Sequence, residues 1–186
     1  MNLDDYGPLL TAETFLEIDF GERIKAELDR GVISPLVRGP VKRVAVAGNL
    51  LTLIGGAIRG TGRRAYGSSL ALRTGARSVR FPDVTVYRLD QEPVASFGDR
   101  DLMSDPEIVV HVRALDLRTM GHLLGEYEAI PSVQAILLVD HEQEIVTALQ
   151  RTSPDAWQQQ RIAAPRHLTI SHLSLTIPHS EIFARD

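Results

Sequence analysis

The chain contains no cysteine, so neither a disulfide framework nor a thiolate metal site is open to it. No apolar run approaches the ~18 residues that suggest a membrane span. The first residues, Met1-Asn2-Leu3-Asp4-Asp5, are acidic and lack the apolar segment of a secretory signal. The expectation is a soluble, cytoplasmic protein with no membrane partner. Phosphate-binding loops of the GxxxxGK[ST] type are missing, as are a GxSxG nucleophile elbow and an HExxH metal pair. Gly60-Thr61-Gly62 looks like half of a dinucleotide fingerprint, but it follows a helical stretch and has no third glycine. Aromatics make up only 5% of the chain, and the single tryptophan, Trp157, stands beside three glutamines, which suits a strand better than a base-stacking platform.

What is present suits one globular domain spanning residues 1–186, with 44% hydrophobic and 24% charged residues. The net charge of -4 conceals a pattern. Between Arg38 and Arg88 there are ten basic residues and one acid, Asp83, whereas residues 1–37 carry eight acids against three bases. Residues 89–186 carry fifteen acids against seven bases. A basic middle between acidic flanks could form a local surface for phosphates, or it could be scattered over solvated faces.

Periodicity gives the outline of an α+β fold, a mixed sheet covered by helices. A short helix is predicted over 11–18 after Thr11, then a hairpin with alternation from Arg23 to Leu28, a turn at Asp29-Arg30-Gly31 and a return at Val32-Ile33. The clearest helix covers 41–59, where Val46, Ala47, Leu50, Leu53, Ile54 and Ala57 recur at helical spacing before Gly60. Strands are predicted at 69–73, 79–87 and 107–112, with an exposed acidic loop over 90–105. A second helix follows at 117–129, with Leu117, Met120, Leu124 and Tyr127 on one stripe. Residues 134–139 form a nearly unbroken apolar run, as in a central strand buried on both faces, and 145–150 returns beside it. The tail suggests edge strands, with His167 and His172 at the surface.

Three stretches stand out together: Arg63-Arg64-Ala65-Tyr66-Gly67 through Thr74-Gly75, Arg80-Phe81-Pro82-Asp83-Val84, and Ile130-Pro131-Ser132 followed by Leu138-Val139-Asp140. In this order and spacing the chain resembles the Uma-two family of restriction endonucleases, within the PD-(D/E)XK nuclease superfamily, over nearly its whole length. The resemblance implies a restriction-endonuclease-like fold, a homodimer, and metal-dependent hydrolysis of DNA. That chemistry needs a divalent cation to polarise the phosphate and activate water, hard oxygen ligands on neighbouring strands, and a lysine near the second acid.

Carried onto this chain, the first acid is Asp83 and an upstream acid is Glu27. His111, in Val109-Val110-His111-Val112-Arg113, takes the place of the second acid. In Gly121-His122-Leu123 the lysine position is occupied by Leu123, while Arg113 holds the alternative position on the strand. The expected catalytic set is therefore Asp83, His111, Arg113 and Glu27, with Asp83 and His111 as ligands of magnesium or manganese if a metal is held at all. Arg43, which stands at the family's basic position before the long helix, joins Arg63, Arg64 and Arg73 as candidate nucleic-acid contacts. The functional expectation is an endonuclease-family protein acting on or binding DNA with a degenerate metal site. The alternative is an inactive nuclease fold serving as a protein-interaction or oligomeric module.

Overall fold

A computed structural model describes residues 9–20, 25–36, 39–97, 100–113 and 117–185. Arg23, Ile24 and Arg38 of the expected hairpin and basic window lie outside these residues, as do the side chains of Leu117 and Met120. The architecture is mixed α+β, and the chain divides into two compact units. The first comprises Met1–Arg38, Ser69–Phe81 and Glu92–Ser104; the second comprises Gly39–Ser68, Pro82–Gln91 and Asp105–Asp186.

The first unit is built on a six-stranded sheet of order β2-β1-β5-β4-β8-β7. Its strands, numbered along the whole chain, are β1 (Ala26–Asp29), β2 (Val32–Pro35), β4 (Ala71–Gly75), β5 (Ser78–Arg80), β7 (Ala95–Phe97) and β8 (Arg100–Met103). β1 and β2 form the expected hairpin, with Arg30 and Gly31 both at positive φ in the two-residue turn. Only glycine fits at position 31, since a Cβ there would meet the Leu9 Cβ at 2.7 Å. Helix α1 (Ala12–Glu17) starts where the Thr11 hydroxyl accepts the Thr14 N–H, and it buries Phe15 and Leu16 in a cluster with Leu28, Val79 and Leu102.

The second unit carries a sheet of order β12-β11-β10-β9-β6-β3. Its strands are β3 (Arg63–Gly67), β6 (Val84–Arg88), β9 (Ile108–Val112), β10 (Ala135–Asp140), β11 (Ile145–Ser153) and β12 (Ala156–Ile162). β6 pairs antiparallel with β9, and β9 pairs parallel with β10, with Leu138 opposite His111. Helix α3 (Leu117–Glu128) lies within the connection between the parallel pair, as such crossovers require. Helix α2 (Val41–Ala57) buries Val46, Leu50 and Ile54, one residue per turn, against Val84, Val86, Ile108, Val110, Val112, Leu137 and Val139. The sheet's alternation sends those side chains to α2 and leaves Val109 and His111 on the other face of β9. A short hairpin, β13 (His167–Ile170) and β14 (Leu175–Pro178), and helix α4 (His179–Ile182) complete the unit.

Two expectations change. Residues 79–87 do not form one strand: β5 and β6 belong to different sheets, because Pro82 has no N–H to donate and the Phe81 N–H goes to Glu27 Oε1 at 3.0 Å. The acidic stretch 90–105 is not a plain loop, since it contains β7 and β8 and buries Leu102 completely.

Candidate active site

The break at Phe81-Pro82 fixes where Asp83 points. Just before β6 begins, the Asp83 N–H donates to Val110 O at 2.9 Å, which holds the residue against β9. Its carboxylate is buried, and both oxygens have partners. Oδ1 accepts from Arg43 Nη2 at 3.0 Å, and Oδ2 accepts from the Val112 N–H at 2.7 Å. Arg43 reaches it from the first turn of α2, so the helix that covers the sheet also brings the counter-charge.

His111 lies one residue before Val112 and is fully buried. Its Nδ1 is 3.1 Å from Arg113 Nη2, and its Nε2 is 2.6 Å from the Tyr127 hydroxyl. A guanidinium can only donate, so Nδ1 must be the bare nitrogen and accept. The ring hydrogen then sits on Nε2 and is donated to Tyr127. Since a neutral imidazole has one lone pair, Arg113 already occupies it. The Tyr127 ring also stacks on the imidazole, with centroids 5.5 Å apart.

Leu123 and Tyr127, four residues apart on α3, are both buried, whereas Leu124 is only half-buried. The inward stripe is thus set by Leu123 and Tyr127 rather than Leu124. The lysine position of the resemblance is an apolar side chain.

Asp83, Arg43, His111 and Arg113 are brought together around the end of β9, and all belong to the second unit. Glu27 is in the first unit. There it is buried, accepts the Phe81 N–H and lies 3.6 Å from Arg80, which in turn binds Asp29 at 2.7 Å. Burial pushes the Asp29 carboxyl upward, but the bonds and charges of Arg80 and Arg30 outweigh it and hold the group below its ordinary 3.8.

The basic window is largely internally neutralised. Arg63 binds Glu107 at 2.5 Å, Arg73 pairs with Glu13, Arg88 binds Asp90 at 2.6 Å and Lys42 binds Glu144 at 3.2 Å. Arg64 is exposed on β3. Glu107, which belongs to no motif of the sequence, is buried just before β9 and also meets His172 at 3.2 Å. Shallow polar cavities of about 360 and 380 Å³ flank this second cluster. Trp157 is covered by the Arg151 guanidinium, 4.4 Å from its ring centroid, in agreement with a packing role.

The family model described as "Putative restriction endonuclease" (Uma2) matches residues 12–179. The chain belongs to that family. Among solved structures, it is similar to a nuclease of the DUF820 group from Anabaena variabilis, titled putative, at 15% identity and a TM-score of 0.73. That match covers 94% of this chain and 98% of the other, and it bears out the restriction-endonuclease-like fold. No curated protein matches.

The family's chemistry implies a divalent metal, and the Asp83 site does not fit one. Asp83 is bonded at both oxygens, the His111 lone pair is taken, and Leu123 has no polar atom. Among the described residues no three His, Asp or Glu side chains converge to hold an ion. Magnesium in particular demands several oxygen ligands, and one carboxylate already matched to an arginine does not supply them.

Proposed function

We propose that this chain is a DNA-binding member of the nuclease family that does not hydrolyse phosphodiesters with magnesium at Asp83. The observation that carries this reading is that both side chains at the expected metal position already have protein partners: Arg43 on Asp83, and Arg113 and Tyr127 on His111. Arg43 stands on the acid that the family's chemistry uses at a phosphate, and guanidinium groups are suited to phosphate oxygens. In this reading the protein works in the cytoplasm as a homodimer, the commonest closed assembly.

The test is cleavage of plasmid and linear DNA with magnesium and then manganese, beside Asp83→Ala. No cleavage is expected with magnesium. Robust magnesium-dependent cleavage that disappears in Asp83→Ala would refute the reading.

A second reading, a nuclease fold used for protein interaction, is favoured by the pairing of Arg63, Arg73, Arg88 and Lys42 with carboxylates. Such pairing weakens the field that would draw in DNA. Salt-sensitive DNA binding that weakens in Arg64→Glu supports the first reading; no binding at low salt supports the second.

A further inference from the structure

We infer that Arg43 is the resident cation of the Asp83 site, standing where a divalent ion would balance the carboxylate, so that a phosphate is engaged there without metal. The inference rests on the DNA-binding reading for its ligand, but its central claim concerns the protein alone.

Asp83 is buried, with an exposure of 8%, and a buried carboxylate needs a positive partner and hydrogen bonds. The Val112 N–H supplies a hydrogen bond at 2.7 Å but no full charge. Arg43 supplies the charge at 3.0 Å, within hydrogen-bond range. A metal on the same oxygen would sit about 2.0–2.6 Å away, so it would face the guanidinium at close range. Repulsion between two cations on one carboxylate then works against metal entry.

His111 reinforces the exclusion. Where the family has a second carboxylate, this chain has a ring whose lone pair is turned onto Arg113 at 3.1 Å. A second arginine is held on the same strand: Arg113 is bonded to His111, and the next residue, Val112, is bonded to Asp83. Arg43 keeps 23% of its side-chain surface in solvent and Arg113 is half-buried, so both are within reach of a phosphate from outside. A guanidinium offers five N–H donors and Asp83 Oδ1 takes one of them from Arg43, which leaves a planar fork suited to phosphate oxygens.

The first experiment uses manganese alone. Free manganese is measured by electron paramagnetic resonance during titration of the wild type, Arg43→Gln, Arg43→Lys and the double variant Arg43→Gln with Asp83→Asn, each checked for folding by circular dichroism. The wild type and Arg43→Lys are expected to take up no site-bound manganese. Arg43→Gln is expected to bind it at least about tenfold more tightly than the wild type, and Asp83→Asn should abolish that gain. Stoichiometric manganese uptake by the wild type that is lost in Asp83→Asn would overturn the inference, as would a folded Arg43→Gln that gains nothing.

The second experiment follows the anisotropy of a fluorescein-labelled DNA duplex in EDTA and in magnesium. Equal affinity in both, with a loss in Arg43→Gln under EDTA, is expected. Binding that requires magnesium would overturn the inference. Failure of the wild type to bind the duplex at all would sink the DNA-binding reading instead, while the manganese titration would still decide the role of Arg43.

Discussion

The Tyr127 hydroxyl lies 2.6 Å from His111 Nε2, so that α3 and β9 are joined by a buried hydrogen bond. Tyr127→Phe removes the acceptor and leaves the ring packing intact. Loss of that hydrogen bond is expected to cost about 0.5–1.5 kcal/mol in urea unfolding. An unchanged midpoint would show that the bond contributes nothing to stability.

Arg80 is buried between Glu27 and Asp29 in the first unit. Truncating it by Arg80→Ala strands the Glu27 carboxylate, and the expected cost is about 3–5 kcal/mol. Changing Arg80 and Glu27 together to apolar residues of similar size should cost far less. A double variant as damaged as the single one would argue against the stranded charge as the cause.

His141 follows β10 with 4% exposure, and neither ring nitrogen has a hydrogen-bond partner among the described residues. An unsatisfied polar ring costs stability where an apolar side chain of similar size would not. His141→Leu is therefore expected to equal or exceed the wild type in melting temperature. A clear drop would indicate a bonded imidazole.

Glu144 is clamped by Arg185 at 2.5 Å and Lys42 at 3.2 Å, and these hydrogen bonds hold its carboxyl below the ordinary 4.5. A depressed carboxylate contributes stability that is fully present above the unfolded-state value and is lost as pH falls through the folded-state value. Glu144→Gln should therefore leave a shallower decline below pH 4.5. The effect is small because the pair is solvated, and added salt should shrink it further. Parallel acid-unfolding curves for the two proteins would contradict this.

Much of the fold was legible because burial writes a local period into the sequence. Val46, Leu50 and Ile54 announce the buried face of α2, and the apolar run before Asp140 announces β10. The boundary between β5 and β6 was hidden because the apolar residues continue across it, and only the missing N–H of Pro82 marks the change of sheet. β7 and β8 were hidden because they are only three and four residues long, too short to show an alternating period. At the candidate site the resemblance singles out Asp83, His111, Arg43 and Arg113, but not which of them pair, and it gives Tyr127 no role. Arg43 is forty residues from Asp83 and Tyr127 sixteen from His111, distances over which no periodicity speaks. Glu107 gave no signal, because a lone glutamate before a strand looks the same whether or not an arginine and a histidine fold onto it.

All six strands of the first unit's sheet lie between Ala26 and Met103. A nascent chain released from the ribosome as far as Ser104 therefore holds every strand of that sheet, but only β3 and β6 of the second. At that stage Arg43 and Asp83 have both been made, and Val112 has not. Translation thus offers the carboxylate its arginine before its backbone donor exists. The Val112 N–H, the backbone donor to the Asp83 carboxylate, is thus made only after every strand of the first unit's sheet.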